Sequence, residues 1–218
     1  MQVIESVEQL KSLYADVPQG AIDKVCDHIT PLYQRWIAAS RFVVLATVGP
    51  EGTDASPRGD SGEVVYLKDA KTIWMPDWRG NNRLDSLANI VRDGRVSLMF
   101  MVPGSQTVVR VNGTGVVTAD GQVTDHFQRQ GASATPNQES EQDPSQRPTQ
   151  TPRTVIVIKV AEVYFQCAKA LMRSRLWTAG DESTSLPTAG ELLAESLQGF
   201  DAKTYDEGFP QRAKDQLW

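Results

Sequence analysis

About seven short β-type segments between residues 42 and 165 constrain the fold of this chain more than any other feature. They are rich in β-branched, apolar and aromatic residues, and turn residues such as Gly49–Gly52 separate several neighbouring segments. The segments are Phe42–Val48, Thr53–Arg58, Val64–Leu67, Thr72–Met75, Val96–Val102, Val108–Thr118 and Thr154–Phe165. Apolar strands with open edges invite pairing with other chains unless the sheet closes. The pattern therefore predicts a closed antiparallel barrel.

Helical patterns precede, interrupt and follow these strands. Apolar residues at positions 22, 25, 26 and 29 recur at helical spacing. Thr30 followed by Pro31 is typical of a helix start. Residues Asn82–Val91 and Pro187–Leu197 predict two further helices. We therefore expect a mainly β fold with peripheral α-helices, at the N-terminus and the C-terminus among other places.

The chain length of 218 residues fits one sizeable domain, and we expect a single domain over 1–218. Its expected parts are an N-terminal helical segment (1–40), a barrel (41–177) and a C-terminal helical tail (178–218). Residues 130–153 are mostly Ser, Thr, Pro, Gln and Glu. Such a composition buries too little apolar surface to offset the entropy lost on ordering. We interpret 130–153 as a flexible polar insert.

Composition argues against several classes of function. The net charge of −5 argues against a nucleic-acid partner. No apolar run approaches the roughly 18 residues of a membrane span, and the first residues lack a signal-peptide pattern. Two distant cysteines make neither a disulfide framework nor a zinc pair, and the two histidines lack partners at metal-ligand spacing. We expect a cytoplasmic protein without a metal site or membrane contact.

Two clusters rich in Arg, Gly and Asn flank one predicted hairpin. The first cluster is Ser56, Pro57, Arg58 and Gly59, and the second is Asp77, Trp78, Arg79, Gly80, Asn81, Asn82 and Arg83. Arginine presents a fork of donors that fits phosphate, and glycine lets a bulky anion approach the backbone. Asn82 and Arg83 lie at a predicted helix start, where free N–H groups favour anions.

Each cluster alone fits an ordinary turn or helix cap. The hairpin between them should make them neighbours in space, and together they predict a site for a phosphorylated ligand. A third basic cluster contains Lys169, Arg173, Arg175 and Trp177. By itself this third cluster fits a solvated helix face.

With these motifs the sequence resembles the pyridoxamine 5'-phosphate oxidase-related flavoproteins, which bind flavin mononucleotide (FMN). It is similar in particular to a subgroup carrying Ser-Pro-Arg-Gly-Asp, Asp-Trp-Arg-Gly-Asn-Asn-Arg and Cys-x-Lys-Ala-Leu-x-Arg-Ser-x-Leu-Trp, which occur here in that order. The resemblance implies a split β-barrel that forms a homodimer. It also implies FMN as the cofactor, held in the grooves between the two subunits.

The resemblance assigns roles to the three clusters. It implies phosphate contacts from Arg58, Asn82 and Arg83, and contacts to the ribityl chain and ring from Ser56 and residues 77–80. Lys169, Arg175 and Trp177 would come from the partner chain, where a cation can stabilise reduced flavin. The sequence departs from the relatives at Gln166, where histidine is more usual, and lacks the Arg-x-His element of vitamin B6 oxidases. Pyridoxamine phosphate is therefore not the expected substrate.

Three functions remain open at this point. The first is an FMN-dependent oxidoreductase, an oxidase or a reductase, that performs two-electron chemistry on an unidentified small molecule. The second is a non-enzymatic FMN-binding, storage or sensor protein. The third is a barrel-type interaction module without a cofactor. No residue is predicted as a general acid or base, and flavin absorbance of the purified protein would separate the third function from the others.

Overall fold

The computed structural model describes residues 1–130 and 149–216, which form a mainly β fold with peripheral helices. The strands are β1 Phe42–Gly49, β2 Gly52–Gly59, β3 Tyr66–Asp69, β4 Thr72–Asp77, β5 Arg95–Met101, β6 Val108–Thr118, β7 Arg129–Gln130, β8 Thr149–Gln150 and β9 Thr154–Gln166. The helices are α1 Val7–Lys11, α2 Gln19–Asp23, α3 Pro31–Ala38, α4 Asp85–Arg92, α5 Gly121–Thr124, α6 Lys169–Ser174, α7 Ala189–Ser196, α8 Ala202–Glu207 and α9 Phe209–Gln216.

Seven strands form one antiparallel sheet in the order β2-β1-β5-β6-β9-β4-β3. In the described residues no ladder joins β2 to β3, so the sheet curls as a split barrel and does not close by continuous hydrogen bonding. Local features at both edges explain the opening. Pro57 removes a donor from β2, and β3 is only four residues long with a register shift between Leu67 and Asp69. The split barrel implied by the resemblance is confirmed, whereas the closed barrel predicted from the strand pattern is not found in the described residues.

The core lies where alternate residues of the long strands face inward. Val43 and Leu45 in β1 and Leu98 and Phe100 in β5 are fully buried, two positions apart in each strand. This alternation follows from the two-residue period of side chains in a strand. Helices α3 and α4 each bury one isoleucine in the same cluster. The apolar runs read from the sequence therefore form one core, with the helices on its periphery.

The N-terminal segment departs from the helix predicted over residues 22–29. Helix α2 ends at Asp23, and Cys26 instead pairs with Val163 of β9 through two backbone hydrogen bonds of 2.9 and 2.8 Å. Tertiary pairing with β9 thus overrides the local helical spacing, and of the four apolar residues only Ile29 is buried. The next helix begins as predicted, with Pro31 in its first turn and the Thr30 side chain accepting a hydrogen bond from the backbone N–H of Tyr33.

The expected flexible insert over 130–153 falls largely outside the described residues. At its two ends β7 and β8 form a small antiparallel ladder, in which Arg129 pairs with Gln150 and Gln130 with Thr149. Near the C-terminus, α7 begins with a capping box at Thr188 and packs against α8. The described part of the chain contains no helix with the length and apolar character needed to cross a membrane.

Candidate functional site

A cleft of about 970 Å³ opens where β2 and β4 end and β9 begins. Every residue of the first two sequence clusters lines it. From the first cluster these are Ser56, Pro57, Arg58 and Gly59, and from the second Asp77, Trp78, Arg79, Gly80, Asn81, Asn82 and Arg83. The structure therefore brings together the two clusters that the predicted hairpin joins. Whether they bind a ligand stays a prediction.

An ion pair crosses the split of the barrel at this cleft. Strand β2 lies at one edge of the sheet and β4 next to the other edge, so backbone pairing does not join them. Arg58 at the end of β2 nevertheless places its Nη1 2.5 Å from Oδ1 of Asp77 at the end of β4. Both side chains are about four-fifths buried, with exposures of 21% and 20%. The pair fixes the Arg58 guanidinium over the opening.

Two side-chain hydrogen bonds join α4 to the hairpin of β1 and β2, beside the cleft. Asp54 and Arg58 share the half-buried face of β2, because side chains on a strand alternate. The Ser86 hydroxyl in α4 donates to the Asp54 carboxylate at 2.5 Å, and Asn89 Nδ2 donates to Thr47 Oγ1 at 3.1 Å. Ser86 is only 4% exposed. The loop between β4 and α4 is therefore anchored at both ends.

This loop starts the helix later than the sequence predicts. Asn82 has a left-handed backbone with φ 59°, and the Asn81 side chain accepts a hydrogen bond from the N–H of Arg83 at 3.0 Å. A left-handed residue cannot lie inside an α-helix, and asparagine tolerates this conformation better than most residues. Helix α4 consequently begins at Asp85, so the helix start predicted at Asn82 was wrong by three residues.

Arg83 therefore belongs to the loop and not to the helix start. Its side chain is 76% exposed, and its Nη2 lies 2.9 Å from Oδ2 of Asp85. An anion in the cleft would meet Arg83 as an exposed donor paired with Asp85, in contrast to the largely buried guanidinium of Arg58. The helix dipole invoked from the sequence would act from Asp85 onward.

Arg58 Nε and Thr154 Oγ1 are buried polar atoms of the cleft that lack a hydrogen-bond partner within the described residues. An unsatisfied buried polar group costs roughly 1–3 kcal/mol, so a ligand with acceptor oxygens would be favoured here. The cleft is also cationic, with Arg58, Arg79, Arg83 and Arg153 against Asp60 and Asp77. The donor set fits a phosphorylated cofactor such as FMN. No group of metal-ligating side chains that could hold an ion occurs in 1–130 or 149–216.

The third cluster does not line the cleft within one chain. Trp177 Nε1 donates to the backbone oxygen of Ser105 at 2.8 Å, in the turn between β5 and β6. Arg175 ends α6 with φ 52° and lies 3.4 Å from Glu182. Lys169 begins α6 and is exposed. These residues were expected to act from the partner chain, and that expectation stays a prediction.

Sequence reasoning missed one side of the cleft. Gln150, Thr151, Arg153 and Thr154 also line it, although the first three were read as part of the polar insert. These residues lie at the cleft because β9 pairs with β4, which puts Thr154 opposite Asp77. The only local signal was an arginine immediately before a strongly apolar strand. The pairing of β9 with β4, which links distant parts of the chain, could not be read from that signal.

The sequence model of the family described as "Pyridoxamine 5'-phosphate oxidase" matches residues 29–167, more than half of the chain. No curated protein matches significantly.

Three solved structures are among those that resemble this chain. HupZ from Group A Streptococcus is 17% identical with a TM-score of 0.44, over 62% of this chain and 91% of HupZ. General Stress Protein 26 from Bacillus anthracis is 15% identical with a TM-score of 0.38, over 61% of this chain and 88% of that one. PhzG from Burkholderia lata, in complex with tetrahydrophenazine-1-carboxylic acid, is 14% identical with a TM-score of 0.44, over 70% of this chain and 86% of PhzG. At these TM-scores the likenesses support no conclusion about ligand or activity.

Proposed function

Since the chain belongs to the pyridoxamine 5'-phosphate oxidase family, we propose that it is an FMN-dependent oxidoreductase acting on a small molecule. The observation that carries the proposal is the cationic cleft lined by both Arg58 and Arg83, in which Arg58 Nε has no hydrogen-bond partner among residues 1–130 and 149–216. A phosphate group supplies the acceptor oxygens that such an arrangement lacks. We place the protein in the cytoplasm, because both of its cysteines are free.

In this proposal different residues of the chain bind different parts of FMN. Arg58, Asn82 and Arg83 would bind the phosphate, and Ser56 with residues 77–80 would contact the ribityl chain and ring. Val64 and Leu87 supply apolar surface in the same cleft, where a flat ring would exclude water. When bound, FMN supplies two-electron chemistry, and the protein supplies its orientation and electrostatic surroundings.

In this proposal Asp77 orients Arg58 for phosphate binding. Its carboxylate holds the Arg58 guanidinium in one orientation before any ligand arrives. A donor fixed in advance loses less entropy on binding than a free surface arginine does. Asp77 thus acts on the phosphate through Arg58.

We also propose a homodimer with FMN at the subunit interface. Exposed apolar residues surround the third cluster: Phe165 is 45% exposed, Met172 56% and Leu176 50%. Apolar surface of this kind is typical of a face covered by another chain. An isologous contact would then bring Lys169, Arg175 and Trp177 to the partner's cleft.

Binding of FMN to the purified full-length chain tests the proposal. We expect flavin absorbance bands, and quenching of FMN fluorescence on titration. A colourless protein that leaves added FMN unquenched would overturn the proposal. Arg92→Ala is a matched control, because this arginine lies on α4 outside the cleft and pairs with Glu51.

A second assay separates an enzyme from a storage protein. The FMN-loaded protein is mixed with reduced nicotinamide cofactor, and its oxidation is followed by absorbance. Steady turnover supports an oxidoreductase, whereas tight FMN binding without turnover of any reductant or oxidisable substrate supports a binding or storage protein.

A further inference from the structure

We propose that the start of β9 forms a second anion subsite in the cleft, in which Arg153 and Thr154 bind the carboxylate or phosphate group of an organic substrate. This inference rests on the proposed function, because it assumes that the cofactor takes the clusters at Arg58 and Arg83. It names the class of molecule that the remaining side of the cleft would accept.

Arg153 and Thr154 lie in the cleft outside the clusters that are assigned to the cofactor. Thr154 is the antiparallel partner of Asp77, so Arg153 lies one residue past the end of the β4–β9 ladder. Both residues line the same cleft as the sequence-predicted clusters. Thr154 begins β9 and Arg153 directly precedes it, and the resemblance gives neither residue a cofactor role. The cleft therefore has polar surface beyond that assigned to FMN.

The pairing of the arginines is the second argument. Arg58 is held by Asp77, and Arg83 by Asp85. Arg153 has no ion pair or hydrogen bond with any residue of 1–130 or 149–216, and its guanidinium is always charged. A guanidinium fork with no such partner among the described residues, beside a cleft, can bind a planar carboxylate or a phosphate.

The adjacent hydroxyl is the third argument, because it separates this arginine from an ordinary solvated one. Thr154 Oγ1 is buried and lacks a hydrogen-bond partner within the described residues. A hydroxyl both donates and accepts, so it can complete the coordination of an anion that Arg153 attracts. An exposed arginine alone would have no such buried neighbour on the cleft lining.

The size of the cleft is consistent with two occupants. Small-molecule sites usually measure about 300–1,000 Å³, and this cleft of about 970 Å³ is at the top of that range. A redox reaction needs a substrate beside the cofactor. The excess of arginine over aspartate in the lining favours an acidic substrate over a neutral or basic one.

Isothermal titration calorimetry on the full-length chain tests the subsite, with and without FMN. The probes are benzoate and phenyl phosphate, and neutral benzamide is the matched control ligand. We expect Arg153→Gln to weaken binding of both anionic probes about tenfold, the effect of losing one charge-assisted donor. Arg153→Lys should lose less, and Thr154→Val should weaken the probes about threefold. Arg92→Gln should match the wild type.

Three results would overturn the subsite. The first is unchanged binding of the anionic probes by Arg153→Gln, and the second is a wild-type chain that prefers neither anion over benzamide. The third is a loss of FMN affinity in Arg153→Gln, which would make Arg153 a cofactor residue. If the wild type ignores FMN but binds the probes through Arg153, the proposed function fails and the subsite stands.

Discussion

The clusters at Arg58 and Arg83 and the cluster at Lys169, Arg175 and Trp177 look alike in sequence, yet they behave differently in the fold. The first two meet in one cleft within a single chain. The third lies apart, with Trp177 bound to the turn at Ser105. The first two flank one short hairpin, and the ion pair between Arg58 and Asp77 joins them across the split of the barrel. Proximity of the third depends on contacts that local pairing does not supply, and a second chain is our proposed source.

Replacing Arg58 should have the largest effect on FMN affinity and on stability. We expect Arg58→Ala to weaken FMN binding about a hundredfold and to lower the free energy of unfolding by about 2–3 kcal/mol, because it removes a fixed donor and leaves the largely buried Asp77 without its counterion. FMN fluorescence quenching and urea unfolding measure the two effects. In the Arg58→Ala, Asp77→Ala double variant, stability should partly recover, by about 1 kcal/mol. Unchanged stability in Arg58→Ala would contradict the role given to the ion pair.

Replacing Arg83 should separate binding from stability. We expect Arg83→Ala to weaken FMN binding about tenfold, with a change in unfolding free energy below about 0.5 kcal/mol, because its side chain is largely exposed. The same quenching and urea measurements apply, with Arg92→Ala as the control. FMN affinity equal to that of the wild type would remove Arg83 from the site.

Mixed dimers test whether the third cluster acts on the partner's cleft. We expect Arg175→Ala alone to weaken FMN binding about fivefold. When Arg83→Ala and Arg175→Ala chains are mixed equally, random pairing should restore about a quarter of the sites to wild-type affinity, because each mixed dimer contains one intact site. A titration of the mixture would show this tight fraction. Its absence, with dimer exchange verified by mass spectrometry, would place the third cluster outside the partner's site.

The smallest expected effect concerns the anchor of α4. Ser86→Ala removes the hydrogen bond to Asp54, and we expect a loss of about 1–2 kcal/mol in unfolding free energy with a two- to threefold weaker FMN affinity. Ser86→Thr retains the hydroxyl and is the matched variant. A larger loss of affinity than of stability would show that this contact positions the site more than it supports the fold.

The sequence predicted the strands well because each carries a strong local pattern. Strand β6 runs from Val108 to Thr118, with the predicted bounds. The start of α4 was misplaced because the left-handed backbone of Asn82 is set by a tight loop, and the helix over 22–29 was wrong because Cys26 pairs with β9. Arg153 was missed because only the register of two strands far apart in sequence brings it to the cleft. Local sequence patterns thus predicted most strands and the two clusters that flank one hairpin. The position of Arg153 and the backbone pairing of Cys26 depend on contacts between distant parts of the chain, which no local pattern shows.

The short ladder of β7 and β8 has a practical consequence for engineering. Since Gln130 pairs with Thr149, the backbone positions on either side of residues 131–148 are neighbours. The entropy of closing a loop grows slowly, by about 0.6 kcal/mol for each doubling of its length. A reporter or recruiting peptide grafted between these strands should therefore cost the barrel little, and Gln150 would deliver it to the mouth of the cleft.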